Sequence, residues 1–422
     1  MTLSEKIKKD IEENKDNYIQ YLKDIVKEPS TIGYEAGAQK IVEERLKGNN
    51  LEVDVWIPQH KDLLESEYYN PIRDNYDGSP NVVGTLKGTQ GGRSLILNGH
   101  IDVVPAGDLD KWEHGPYSGK ILNGKLYGRG TTDMKGGNVA TLIALETIIN
   151  LGIKLKGDVI YQSVIEEETG GAGTISAIQR GYTADIAIIP EPSEMKIFPK
   201  QQGSLWFKIN VQGISAHGGT RYEGVNAIEK GIIIFNQLLE LEDRRNERYL
   251  QQELYKDNPI PIPINIGQFN GGIFPSSVPE EVVIQGRYGV GPDETITEAK
   301  AEFQQMLDDL VKVDGWFEKY PATVKWEGIH LPSGGSDINH PMLKILENNF
   351  KKIENEKPLS AGSVWGTDGG LLTKYGNIPS IIFGPGTTSM AHFTDEYIEL
   401  DKLFRTAEII TLSIIDWCEI DE

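Results

Sequence analysis

Several short apolar runs in this chain stop at a histidine or an acid, and that punctuation constrains the fold more than any other feature. Ser94-Leu-Ile-Leu-Asn-Gly leads into His100 and Asp102. Asp158-Val-Ile-Tyr-Gln-Ser-Val-Ile leads into Glu166, Glu167 and Glu168, and Ala184-Asp-Ile-Ala-Ile-Ile-Pro leads into Glu191. Ile378-Pro-Ser-Ile-Ile-Phe-Gly-Pro-Gly leads through a short loop to His392. The runs read as strands, and open α/β sheets gather ligands at the carboxyl ends of their strands. The polar tips should therefore converge in one crevice.

Helical and strand patterns alternate along the first half. Leu3, Ile7 and Ile11, then Tyr18, Leu22 and Ile25, recur at helical spacing and predict one or two amphipathic helices. A helix over 36–47, a strand over 51–56 and a polar surface insertion over 58–80 follow. Strands at 81–86, 95–97, 159–165 and 185–189 then alternate with helices at 137–150 and 174–180, the signature of a mostly parallel sheet with flanking helices. Near residue 196 the texture changes. Ser204-Leu-Trp-Phe-Lys-Ile-Asn-Val-Gln alternates polar and apolar, as an antiparallel strand with one wet face does. A helix over 224–241, strands at 262–269 and 281–288 and a helix over 294–311 complete an inserted α+β unit. The mixed-sign stretch 240–258 reads as a solvated helix end and loop. The expected division is 1–197 and 316–422 for the α/β domain and 198–315 for the insertion.

With 38% hydrophobic and 25% charged residues the chain is a globular protein, and its formal charge of -21 argues against a nucleic-acid partner. The N-terminal residues lack the apolar core of a signal peptide, and no stretch is long and apolar enough to span a bilayer. A single cysteine, Cys418, leaves no intrachain disulfide and points to a cytoplasmic protein.

Taken singly, the polar tips are ambiguous. His100 and Asp102 alternate on a strand end and face one way, so Asp102 is placed to accept the second ring N–H of a ligating imidazole. Asp133, before a helix start, serves equally as helix cap or as a ligand bridging two cations. Adjacent side chains on an extended segment diverge, so Glu167 and Glu168 must play different parts, one binding metal and the other addressing water. Glu191 sits stiffly between Pro190 and Pro192; His392 has a helix-capping alternative. Taken together, two imidazoles and three carboxylates suit a pair of divalent cations, zinc first, with cobalt or manganese as substitutes. Such a pair activates water and polarises a carbonyl, the requirements of amide hydrolysis.

At these residues the chain resembles the co-catalytic zinc amidohydrolases and exopeptidases that include acetylornithine deacetylase, succinyl-diaminopimelate desuccinylase, carboxypeptidase G and aminoacylase. The matching stretches are Asn98-Gly-His-Ile-Asp-Val-Val-Pro, Leu126-Tyr-Gly-Arg-Gly-Thr-Thr-Asp-Met-Lys-Gly-Gly, Glu166-Glu-Glu-Thr-Gly-Gly, Pro190-Glu-Pro-Ser, Ser215-Ala-His-Gly-Gly, Gly366-Thr-Asp and Ala391-His-Phe-Thr-Asp-Glu. The resemblance implies a zinc-exopeptidase-like sheet with an inserted ferredoxin-like lid that pairs two copies into a homodimer. It implies that Asp133 bridges two metals, with His100 and Glu191 completing one site and His392 and Glu168 the other. Glu167 would be the general base and then acid, and Asp102 would orient His100. His217 would reach the partner's active site to steady the oxyanion, and Arg287 would clamp a substrate carboxylate. The metal set shows no departure from the family pattern. Ser276, however, stands where the family has Asn, and Trp365 where a small residue is usual.

The implied activity is removal of an N-acyl group from an amino acid or related amine. A dipeptidase or carboxypeptidase, and a formyl-amide hydrolase acting on an aminopyrimidine, are the alternatives within hydrolases. A silent relative serving as a binding or scaffold module is the alternative outside enzymes; it would be marked by a lost ligand.

Overall fold

The computed structural model describes residues 1–421. Its larger layer is a nine-stranded mixed sheet. Strands Val159–Val164, Leu95–His100, Ile186–Ile189 and Ser380–Ile382 lie side by side in that order and run parallel. Every residue of these four is buried, which is why they read as mostly apolar runs without a polar alternation, Asn98, Gln162 and Ser163 being buried polar exceptions. Asn81–Leu86 and Glu52–Trp56 extend one flank antiparallel, and Ile197–Gln201 begins the other.

One face of the sheet is covered by helices Gly136–Asn150, Leu400–Cys418 and Leu3–Lys27, which pack on one another. Leu3–Lys27 is one continuous helix opened by a reciprocal Thr2–Glu5 capping box. Helix Gly136–Asn150 is buried almost throughout, so its sequence shows no polar stripe. The opposite face packs Ile96, Ile160, Ala187 and Ile382 against Ile178 and Leu372.

The smaller layer is a four-stranded antiparallel sheet in the order Ile264–Gly271, Glu281–Val290, Gly203–Gln212, Thr323–Leu331. Leu205, Phe207, Ile209 and Val211 point to its core while Trp206, Lys208 and Asn210 stay partly or fully exposed, as their alternation predicts. Helices Ala227–Tyr249 and Ile296–Asp308 close the core.

Three expectations are corrected. The strand Thr323–Leu331 belongs to this smaller sheet, so the insertion extends past residue 315 to about 331. Its period is broken by Gly328 at φ +88° and by a register shift between Trp326 and His330, which masks the pairing in the sequence. The segment 58–80 is no loose surface insertion: Leu63, Tyr76 and Ser79 are buried, and Arg73 reaches under the polar crevice. The mixed-sign stretch after residue 240 is not all solvated, because the helix continues to Tyr249 and buries Arg245 completely between Glu294 and Glu302.

Candidate active site

His100 ends its strand with Nε2 3.1 Å from Asp133 Oδ1 and 3.8 Å from Glu191 Oε1. His392 approaches from the other side, its Nε2 3.4 Å from Asp133 Oδ2 and 3.1 Å from Glu168 Oε1. Asp133 thus turns one oxygen to each imidazole. Segments distant in sequence, strand ends for three and loops or turns for Asp133 and His392, bring all five expected ligands to one place. His100, Asp133 and Glu168, like His100, Glu167 and Glu191, lie close enough to share an ion. His392 itself adopts left-handed backbone geometry at φ +64°.

The donor set is a harsh environment for acids. Burial drives the Glu167 carboxyl well above its ordinary range, with the Glu191 charge adding to the shift. Glu191 is raised in the same way by burial and by Asp133, and Glu168 likewise. Burial also pushes Asp133 upward, but hydrogen bonds with His100 and His392 outweigh it and hold this carboxyl well below normal. The hydrogen bonds with Asp133 and Glu168 lift His392 to about 11. Four carboxylates packed this tightly demand countercharge, and two imidazoles with carboxylate oxygens are the donor set of dinuclear zinc-type sites. The residues fit such a pair of cations.

Asp102 works differently from its expected role. His100 Nδ1 lies 2.9 Å from the backbone carbonyl of Asp102, whereas the Asp102 carboxylate is 3.6 Å away. That carbonyl accepts the Nδ1 proton and so orients the ring with Nε2 toward Asp133. The fully buried Asp102 carboxylate accepts instead the N–H groups of Glu167 (3.2 Å) and Glu168 (3.1 Å). It therefore fixes the turn that aims both glutamates.

Other anchors have no role that is legible from sequence alone. Glu166, at φ +62°, bends the chain out of its strand, and Arg73 Nε holds its carboxylate at 2.8 Å. Glu35 lies 3.5 Å from the same guanidinium and accepts the Ser79 hydroxyl. The fully buried Glu396 collects the N–H groups of Gly130, Thr132 and Asp133 at 2.8 to 3.1 Å, and Arg129 at 2.7 Å. Arg129 also donates to the carbonyls of His392 and Phe393, so a single ion pair joins the Asp133 and His392 loops. Local sequence carries no signal for these partnerships beyond the surplus of acids needing partners.

A cavity of about 540 Å³ opens over Glu167, Glu168 and His392, with walls of Val104, Trp206, Ile329 and Trp365. Arg287 faces it from the smaller layer. Its Nε donates to Ser204 Oγ at 3.0 Å and its Nη2 to the Val364 carbonyl at 3.4 Å. Burial lowers it to about 10, and no acidic partner meets it among the described residues. His217 stands apart, exposed beside strand Ser277–Val278 and accepting the Gly219 N–H through Nδ1; it does not line this cavity.

Residues 96–416 match the peptidase family M20/M25/M40. The chain belongs to that family. It is 33% identical to the N-formyl-4-amino-5-aminomethyl-2-methylpyrimidine deformylase of Bacillus subtilis, over 98% of this chain and 97% of that protein. It is 28% identical to a probable succinyl-diaminopimelate desuccinylase of Staphylococcus aureus, over 89% of this chain and 95% of that one. In fold it is similar to the dipeptidase Dug1p of Saccharomyces cerevisiae, with a TM-score of 0.78 at 15% identity across 100% of this chain and 99% of that one. The expected assignment to the co-catalytic amidohydrolases and the α/β fold with an inserted unit both hold. The protein is a metallohydrolase acting on amide or peptide bonds.

Proposed function

We propose that this chain hydrolyses the N-acyl amide of a small amine, with a formyl group on an aminopyrimidine-like amine as the favoured substrate. The observation that carries this reading is the aromatic, apolar cavity over the five-ligand cluster, walled by Trp206 and Trp365. The full-length similarity to a formyl-aminopyrimidine deformylase supports it. A second reading, an acyl substrate bearing a carboxylate, is favoured by one feature: the buried Arg287 facing the same cavity.

His100, Glu191 and Asp133 would hold one divalent cation; His392, Glu168 and Asp133 would hold the other. Bound there, the pair, zinc by donor type with cobalt or manganese as substitutes, lowers the pKa of water and polarises the scissile carbonyl. Glu167 takes a proton from the attacking water and returns it to the leaving amine nitrogen, yielding a free acid and a free amine. Burial suits Glu167 to hold that proton between the two steps. Asp102 keeps Glu167 and Glu168 in their separate roles. Arg287 offers a charged fork to an anionic substrate group.

The inserted layer supports a homodimer: strand Ile264–Gly271 is an open sheet edge, and Ile232 and Leu239 are exposed on the neighbouring helix. In such a pair His217 of one copy would donate to the oxyanion formed in the other. Cysteine usage supports a cytoplasmic location, and the charge of -21 supports small-molecule rather than nucleic-acid partners.

The test is a panel of N-formyl, N-acetyl and N-succinyl amines and dipeptides, assayed after chelation and after zinc is restored. The formylated aminopyrimidine should show the highest kcat/KM, and only in the restored protein. A dipeptide or succinyl amine turned over faster would replace this reading with its rival.

A further inference from the structure

The reaction cavity shares a wall with a second one. An annex of about 380 Å³ lies beside it, bounded by Phe198, Leu254, Leu359 and Asp257, and Trp365 and Thr388 line both spaces. Trp365 is the larger of the two shared side chains and is firmly held. Phe198 packs edge-on against its indole, with ring centroids 5.4 Å apart at 88°. The buried Ser363 hydroxyl accepts the Trp365 N–H at 3.2 Å and donates to the Trp365 carbonyl at 2.7 Å. The preceding carbonyl, on Val364, accepts from Arg287. The indole is thus a wall fixed at ring and backbone.

We propose that Trp365 is a specificity-determining partition: its indole closes the reaction cavity against the annex and restricts the enzyme to compact substrates. A planar amine with a short acyl group fits on the near side and gains contact with the aromatic wall. A longer acyl chain or an extended amine meets the indole. With a small side chain at 365 the two spaces join and a longer substrate is admitted. This rests on the reading of the site as a small N-acyl amine hydrolase and deepens it by saying what sets the size limit.

The experiment compares wild type, Trp365→Ala and Trp365→Leu on two series: one amine carrying formyl, acetyl and succinyl groups, and formyl amides of amines of increasing length. Metal content and circular dichroism confirm that each variant is folded and loaded. In Trp365→Ala the long-to-short ratio of kcat/KM should rise by about tenfold or more in at least one series, chiefly through a lower KM for the long substrate. Trp365→Leu, which keeps apolar packing against Phe198, should shift the ratio less and carries the test if the alanine variant does not fold. Calorimetric binding of the long amine product should tighten in parallel. Ratios within twofold of wild type in both series, in folded and loaded protein, overturn the partition. Wild-type preference for dipeptides would instead defeat the small-amine reading of the site, while the variant-to-wild-type change in ratio still tests the wall.

Discussion

At the scale of single residues, the site separates groups that would touch the reaction from groups that aim them. Glu167 is in the first class. Glu167→Gln keeps the size of the side chain and removes its capacity to take a proton. Turnover should fall by roughly 10²–10⁴-fold while metal stoichiometry, measured by plasma emission, stays at the wild-type value. Asp102 is in the second class, since its carboxylate accepts two backbone N–H groups and its carbonyl takes the His100 proton. Asp102→Ala retains the carbonyl but frees the glutamate turn. Metal affinity in a competitive chelator titration should weaken by roughly 10–100-fold; unchanged affinity would show that the turn holds itself. The five candidate ligands are legible in sequence because each follows an apolar run or a glycine-rich turn. Arg73, Glu35 and Glu396 are not, because nothing near them in the chain shows which distant acid or backbone N–H they meet.

At the scale of elements, close backbone approach positions the ligands as much as side chains do. A Cβ on Gly137, in the first turn of its helix, would collide with the Pro190 carbonyl just before Glu191. Gly137→Ala should therefore displace the Glu191 strand end, costing about 1–3 kcal/mol by urea denaturation and weakening metal binding at the same time. In the smaller layer, helix Ala227–Tyr249 is pinned by buried Arg245, which also donates to the Gly289 carbonyl at 2.8 Å. Arg245→Ala strands Glu294 and Glu302 and should cost about 3 kcal/mol, read as a lower urea midpoint. The buried parallel strands are readable from their apolar runs. Strand Thr323–Leu331 is not, because a bulge interrupts its period, and the true end of this helix is hidden because its charged residues find partners some fifty positions away.

At the scale of the whole molecule, acid sensitivity has a component outside the candidate ligand set. His330, on the edge strand Thr323–Leu331, is held down to about 4 by burial and by Lys300, whose ammonium lies 3.0 Å from its Nε2. The unfolded chain takes up this proton near the ordinary 6.5, so between pH 6.5 and 4 it binds more protons than the folded one. Stability is unaffected above pH 6.5 and falls as pH drops through that window. His330→Gln keeps an acceptor for Lys300 and should show a smaller loss of urea midpoint between pH 7.5 and 5 than wild type. Assembly is the second whole-molecule question. Ile232→Asp with Leu239→Asp should leave a monomer by light scattering, with kcat reduced by roughly 10²–10³-fold if His217 acts across the interface. A fully active monomer would remove that role.

Residue order alone determined the chemistry of this protein: which strands are buried, which acids and imidazoles end them, and that those groups suit a pair of divalent cations. Those properties are local, since burial on both faces and polar strand tips are written in consecutive residues. Tertiary structure decided what depends on meeting at a distance. It assigned the Asp102 carboxylate to the glutamate turn, bound the Asp133 and His392 loops through Glu396 and Arg129, carried the fourth strand into the smaller sheet, and set Trp365 between two cavities. Each is a contact between chain segments far apart in sequence, and only the folded packing selects one partner among many of the same type.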